Sequence, residues 1–259
     1  VEVGTLDSMR PWLDNYDHEI DDTFRDHVIM PGFIDPHLHP SMAAILLPMH
    51  FTTAVEWDLP WDDIGKVETR IEFLERLIDL DRELERGEPL FAYGHHPIWH
   101  GDIDRTALNE ISSTRPMIVW HRGYHSLIVN DACFEWMGLD LDAARRHPQV
   151  DVDRGAFFEN GLSVAYRHMK SLILGTERFR GGLDRMRQVI HHGGQTTICD
   201  AALGMYGFED EWDHLVAVME RPDTPFRMQL MPFAMGPASG SETDDELLAR
   251  ILDYPNRNT

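Results

Sequence analysis

The sequence predicts an α/β chain built around a parallel sheet. From Leu183 onward the elements alternate as helix, strand, helix, strand, helix, which is typical of parallel strands joined by crossover helices. The length of 259 residues matches the usual size of one (β/α)₈ barrel and allows a sizeable core. In addition, Phe33-Ile34 opens a strand that we expect to be buried and whose end carries polar side chains.

The N-terminal part of the chain divides at residue 28. Residues 1–27 are polar and acidic, and they predict short strands and turns without a core of their own. From Val28 the sequence becomes apolar and β-branched, and Pro31-Gly32 marks a turn before the strand that begins at Phe33.

The middle of the chain carries a helix and two strands. Apolar residues at helical spacing predict a helix from Ile64 to about Glu85, and Gly87 ends it. Residues 89–94 and 115–121 read as strands. Downstream, Asn130 or Asp131 caps a short helix that ends at Gly138.

The C-terminal part supplies the alternation itself. The predicted elements, in order, are a helix over 183–190 closed by Gly193-Gly194, a strand over 195–200, a helix over 208–219, a strand over 226–231 and a helix over 247–252. Thr243 and Glu246 have the spacing of a capping box, which predicts the start of the last helix.

Composition excludes several classes of partner. The chain has 23 basic and 45 acidic residues, a formal charge of −22, which repels nucleic acid and anionic membrane surfaces. It has no apolar run near the roughly 20 residues that a membrane span needs. Its two cysteines cannot build a disulfide framework, so we expect a cytoplasmic protein.

The sharpest chemical signal is Asp35-Pro-His37-Leu-His39. Residues two apart in a strand point to one face, so the two imidazoles project together at the end of the strand. Neutral imidazole is a common Zn²⁺ ligand, and two of them can fill half of a four-coordinate shell. An isolated pair of this kind also occurs by chance, but here it follows an apolar strand and a turn, and this context favours a metal site.

These motifs resemble a known family. Residues 28–39 resemble the entry strand of the amidohydrolase superfamily, and further matches are to its YtcJ-like branch, which includes N-substituted formamide deformylases. Residues 105–112, 115–119 and 123–130 are similar to that branch's insertion between barrel strands one and two, and residues 193–201 are similar to its second barrel strand.

The resemblance implies a partial metal-dependent hydrolase (β/α)₈ barrel. Residues 1–27 would form part of a small β-sandwich, 28–58 the first barrel strand and the segment after it, 59–182 a large insertion, and 183–259 barrel units two and three. A βαβ unit takes roughly 30 residues, so the chain has no room for six further strands and reads as truncated.

The resemblance also implies an activity. His37 and His39 would hold one or two divalent ions, usually zinc, which activate water to hydrolyse a non-peptide C–N bond of an amide or N-substituted formamide. The family's remaining ligands, a lysine, two histidines and an aspartate on later strands, have no counterpart here. The general acid or base is expected beyond Thr259.

Five further residues are candidates for the site. His125 is expected either to contact substrate or to be a hydrogen-bonded structural histidine. His95, His96 and Trp99 lie where the insertion borders the site, with a surface cluster as the alternative. Asp200, at the end of the second barrel strand, is a candidate for orienting a metal ligand.

Two other functions stay open. The chain could be a non-catalytic or incomplete fragment of such a hydrolase, or the same fold could carry out a deaminase-type reaction, because fold does not fix chemistry. The expected partner is a small amide-like molecule, and a homodimer is left open.

Overall fold

The structure is a computed structural model that describes residues 3–234 and 243–257. The chain forms two compact units, Val1–Gly32 and Phe33–Thr259. In the first unit, helix α1 (Leu6–Leu13) begins after Thr5, whose side chain accepts a hydrogen bond from the Ser8 amide. The prediction of short strands in residues 1–27 is therefore wrong for the described residues 3–27, where the cap at Thr5 nucleates a helix instead.

The second unit contains the remaining helices and all of the described strands. The strands are β1 (Phe33–Leu38), β2 (His50–Phe51), β3 (Trp57–Leu59), β4 (Asp62–Ile64), β5 (Leu90–His95), β6 (Met117–His121), β7 (Ser126–Val129), β8 (Val150–Asp151), β9 (Ala156–Phe158), β10 (Gln195–Leu203) and β11 (Arg227–Pro232). The helices are α2 (Pro40–Leu46), α3 (Arg70–Glu83), α4 (Pro97–His100), α5 (Arg105–Ile111), α6 (Asp131–Met137), α7 (Leu141–Arg145), α8 (Leu162–Ile173), α9 (Thr176–His192), α10 (Phe208–Met219) and α11 (Asp244–Arg257).

One sheet has three parallel strands in the order β1-β10-β11. This pairing confirms the parallel sheet that the alternating pattern predicts. In its register, Phe33 pairs with Gln195 and Leu38 pairs with Asp200, so the carboxyl ends of β1 and β10 lie together. Closure of these strands into a barrel, and the division of the chain into barrel units and an insertion, remain predictions.

The sequence analysis predicted that the first strand is buried, and this prediction is wrong. Phe33 is 56% exposed and Ile34 is 72% exposed. Among the described residues β1 pairs with β10 alone, and a strand paired on one side has packed neighbours on that side only. The apolar composition at the start of the strand was read correctly, but the prediction of burial was wrong.

The other large sheet has six strands in the order β2-β5-β6-β7-β9-β8. Strands β2, β5 and β6 are parallel, whereas β7, β9 and β8 continue the sheet in antiparallel fashion. Strands β3 and β4 form a separate hairpin. The strands predicted over 89–94 and 115–121 correspond to β5 and β6, whose carboxyl ends both finish in a histidine, His95 and His121.

Apolar packing holds the helices to the sheets. Helix α2 packs against α9, and the backbones approach so closely that a Cβ added at Gly182 would lie 2.0 Å from the carbonyl oxygen of Ala44. Helix α3 buries Phe73, Leu77 and Leu80 against the strands β5 and β6. Burial of such side chains contributes roughly 1.5–3 kcal/mol each.

Local signals set several helix ends. Helix α6 is capped by Asn130 and ends at Gly138 in the left-handed conformation, as predicted. Helix α3 begins at Arg70 and not near residue 64, because Thr69 and Glu72 form a capping box there. The capping box predicted at Thr243 is also present. In the described parts of the chain, no helix combines the length and apolarity that crossing a bilayer requires.

Candidate functional site

The two histidines of the sequence motif converge at the carboxyl end of β1. His37 lies in the strand, and His39 follows it directly and precedes Pro40 at the first turn of α2. Their Nε2 atoms are 3.2 Å apart, and their ring centroids are 4.8 Å apart with the planes nearly perpendicular. The two imidazoles therefore meet, as the sequence predicts, at the junction between β1 and α2.

Asp35 holds the backbone beneath this pair. Its Oδ1 accepts a hydrogen bond from the His37 amide at 3.1 Å, and its Oδ2 accepts one from Gln195 Nε2 at 3.0 Å. Since Gln195 opens β10, the carboxylate joins the two neighbouring strands. The position of His37 is thereby tied to the register of the sheet.

Electrostatics favour the neutral form of His39. Burial lowers the pKa of His39, and the neighbouring His37 lowers it further. Its Nδ1 is buried and has no hydrogen-bond partner among the described residues. A neutral imidazole offers a lone pair, which is the form that binds a metal ion.

The separation of the two nitrogens fits a tetrahedral metal ion. Two nitrogens each about 2.05 Å from Zn²⁺ at a tetrahedral angle are about 3.3 Å apart. The observed Nε2–Nε2 distance is 3.2 Å. Residues 3–234 and 243–257 contain no group of three or more His, Cys, Asp or Glu side chains arranged to hold a metal. His37 and His39 therefore fit two ligand positions, and the described residues do not complete the shell.

Asp200 lies at the carboxyl end of β10, opposite Leu38 in the register. It is 1% exposed, and its Oδ1 accepts a hydrogen bond from the Ala202 amide at 3.1 Å. Its Oδ2 has no partner among the described residues, and burial raises the pKa of Asp200 to about 7. No hydrogen bond joins it to His37 or His39 in the described structure.

A second buried carboxyl group follows Asp200. Glu211, in α10, accepts hydrogen bonds from the Gly204 and Tyr206 amides at 3.0 and 2.5 Å, and so shapes the loop after β10. Burial raises the pKa of Glu211 to about 7. The sequence analysis missed this residue, although a signal existed: Glu211 lies at helical spacing from the buried Phe208 and Leu215, on the apolar face of α10.

The remaining predicted site residues lie at the second sheet. His95 is buried, and its Nε2 donates a hydrogen bond to the Gly101 carbonyl at 3.1 Å. Trp99 is 36% exposed, and its ring contacts that of His96. His125 is exposed, and its Nδ1 lies 3.0 Å from Glu159 Oε2. No hydrogen bond or ring contact joins these residues to the His37–His39 pair in the described part of the chain.

The structure gathers more histidines here than the sequence analysis selected. His100 and His121 join His95 and His96 through a series of ring contacts at the ends of β5 and β6. The contact between His96 and His121 depends on the pairing of two strands that are distant in sequence. A run of histidines over residues 95–100 was the available signal, and it did not show which of them meet.

The comparisons with known proteins agree with this architecture. No protein-family model and no curated protein matches the sequence. A solved structure described as an uncharacterized metal-dependent hydrolase from Pyrococcus horikoshii OT3 matches 78% of this chain with a TM-score of 0.54 and 19% identity. A second, from Pyrococcus furiosus, matches 78% with a TM-score of 0.53 and 18% identity. The chain shares its fold with part of these hydrolases. It spans 36% and 38% of their respective lengths.

Proposed function

We propose that this chain supplies two metal ligands, His37 and His39, of a hydrolase that cleaves C–N bonds outside peptide bonds. The observation that carries the proposal is the 3.2 Å separation of the two Nε2 atoms at the carboxyl end of a parallel strand. In folds with parallel strands, this end is where ligands and catalytic groups lie. The fold shared with two metal-dependent hydrolases supports metal-dependent hydrolysis in general.

The proposed substrate is an amide or an N-substituted formamide. Its support is the resemblance of residues 28–39 and 193–201 to the YtcJ-like branch of the amidohydrolase superfamily. A bound Zn²⁺ acts as a Lewis acid and lowers the pKa of its water to about 7. His39, kept neutral by its burial, presents a lone pair toward the site, while Asp35 fixes the backbone that carries His37.

Asp200 is proposed to orient the metal ligands from the neighbouring strand. The support is its placement opposite Leu38, which lies between the two histidines, and its buried carboxylate oxygen without a hydrogen-bond partner in the described residues. His39 Nδ1 is likewise buried and unpartnered there. A metal-bound histidine is commonly oriented through its second nitrogen by a carboxylate or a water.

Zinc stoichiometry tests the metal site directly. We expect the 259-residue chain to bind Zn²⁺ in equilibrium dialysis, and the double variant His37→Ala with His39→Ala to lose this binding while keeping its far-ultraviolet circular dichroism. The matched control is His191→Ala with His192→Ala, which removes two exposed histidines at the end of α9. Equal zinc content in the two double variants would contradict the assignment.

A second candidate function is a non-catalytic or incomplete part of such a hydrolase. Two observations favour it: the chain spans 36% and 38% of its structural neighbours, and the described residues provide no third ligand. Two protein ligands bind zinc weakly compared with the three or four of known sites. Turnover by the zinc-loaded 259-residue chain would exclude this alternative, and metal binding without turnover would favour it.

The reaction itself is tested with three substrate types. An N-alkylformamide, an N-acylamine and an aminopyrimidine release formate, a carboxylate and ammonia, respectively. We expect release from the first two. Release of ammonia alone would replace the amide proposal with a deaminase-type reaction on the same fold.

A further inference from the structure

The second sheet carries a pair of imidazoles that the proposed hydrolase site does not use. His96 follows the carboxyl end of β5, and His121 is the last residue of the adjacent parallel strand β6. Their ring centroids are 5.3 Å apart, and the planes are tilted by 32°. Both side chains are partly exposed, so a small molecule can reach them.

Backbone hydrogen bonds fix the tautomer of both rings. The Ile98 amide donates to His96 Nδ1 at 3.2 Å, and the Gly123 amide donates to His121 Nδ1 at 3.0 Å. A ring nitrogen that accepts a hydrogen bond carries no proton, so in the neutral imidazole the proton is on Nε2. Each ring therefore turns an Nε2–H donor away from its own backbone. Neither Nε2 has a hydrogen-bond partner among the described residues.

This tautomer makes the pair a donor site and not a metal site. Coordination through Nε2 requires a lone pair on that atom, which the Nδ1-accepting geometry removes. Consistent with this, no metal-binding group of His, Cys, Asp or Glu is found in the described residues. Two N–H donors on neighbouring rings suit the two oxygens of a carboxylate.

The local charge also suits an anion, in a chain whose net charge is −22. Burial lowers the pKa of His121, and the neighbouring His96, His125 and Arg122 lower it further. No carboxylate contributes to that shift.

An apolar surface adjoins the two donors. The Trp99 ring lies 4.8 Å from that of His96, and Trp99 is 36% exposed. Ile98, on the same short helix, is 81% exposed. A ligand whose carboxylate meets the imidazoles can therefore place a ring or alkyl group against these side chains.

From this geometry we infer that His96 and His121 form a binding site for a small aromatic or alkyl carboxylate, held by two Nε2–H donors beside Trp99. The site lies at the carboxyl ends of β5 and β6, and the inference does not rest on the function proposed for the His37–His39 pair.

Nuclear magnetic resonance of the imidazole nitrogens tests the inference on the unmodified chain. We expect His96 and His121 to be Nε2–H tautomers, and benzoate to shift both in a saturable way. Benzamide, which is uncharged and similar in shape, should produce a shift only at much higher concentration. Either imidazole found as the Nδ1–H tautomer, equal binding of benzamide, or binding of inorganic phosphate without benzoate would overturn the inference.

A double substitution tests whether the two Nε2–H donors, and not the local backbone structure, bind the carboxylate. Asparagine at positions 96 and 121 keeps an acceptor for the backbone amide but has no group that reaches the Nε2 position. His96→Asn with His121→Asn should weaken benzoate binding at least about ten-fold, because both donors to the charged carboxylate are lost. The control is His147→Asn, because His147 Nδ1 accepts from the Gln149 amide in the same local geometry, at 3.2 Å. Unchanged benzoate affinity in the double variant would refute the site.

Discussion

Replacing Asp200 with asparagine removes a buried negative charge and changes little else. Asp200 is 1% exposed, its Oδ1 accepts from the Ala202 amide, and its Oδ2 has no partner among the described residues. Asparagine has the same shape and keeps an oxygen that can accept from Ala202. The comparison between the two chains therefore isolates the free energy of placing the charge in the interior.

The size of the effect follows from the pKa. Burial raises the pKa of Asp200 from 3.8 to about 7 in the folded chain. A shift of about three units corresponds to about 4 kcal/mol of unfolding free energy. Because the folded pKa is the higher one, this contribution to stability is fully present below pH 3.8 and is lost as the pH rises through about 7. Asparagine does not titrate, so its stability does not fall in this way.

Urea unfolding, followed by tryptophan fluorescence, measures the difference. We expect the unfolding free energy of Asp200→Asn, relative to the unmodified chain, to increase by about 4 kcal/mol between about pH 4 and pH 8. The control is Asp21→Asn, since Asp21 Oδ1 accepts from the Thr23 amide in the same local geometry but the side chain is exposed. A difference that stays constant over this pH range would refute the argument that burial perturbs Asp200.

Two further substitutions test the lowered pKa of His95 and the close contact between α2 and α9. Burial lowers the pKa of His95 to about 4, so the folded chain loses stability as the pH falls from 6.5 toward that value. His95→Gln keeps a donor at the Nε2 position but does not titrate. In urea unfolding, its unfolding free energy relative to the unmodified chain should rise by about 2–3 kcal/mol as the pH falls from about 7.5 to about 4.5. No such rise would contradict the lowered pKa of His95. Gly182→Ala should lower the unfolding free energy by about 1–3 kcal/mol because its Cβ would meet the Ala44 carbonyl. Gly181→Ala, one residue away and open to solvent, should be neutral or stabilising, and equal losses in the two variants would argue against the close helix contact.

Elements with signals inside a few residues were predictable from the sequence. The helix predicted over 208–219 is α10 (Phe208–Met219). The C-cap of α6 was identified and its N-cap was placed to within one residue, because amphipathic spacing and capping act over one or two turns. Helix α3 shows how a nearby signal can be missed. Ile64 fits its apolar spacing but belongs to β4, and the capping box at Thr69 sets the real start.

Features that depend on distant pairing were not predictable. The antiparallel half of the six-stranded sheet, formed by β7, β9 and β8, follows from contacts that no local pattern encodes. The same limit applies to the sites. His37 and His39 are two residues apart where β1 ends, and the sequence predicted that they meet, whereas the contact of His96 with His121 requires the pairing of β5 with β6.

His39 does not belong to the strand that carries its partner. It precedes Pro40 at the start of α2, and α2 is held by α9 at the tight approach of Gly182 to Ala44. The distance between the two imidazoles therefore depends on the packing of α2 against α9 as well as on β1. A small shift of α2 would change the distance between the two imidazoles and so their fit to a cation. Cation binding should therefore stabilise the packing of α2 on α9. Amide hydrogen exchange along α9 should slow when the cation binds, although the cation does not contact this helix.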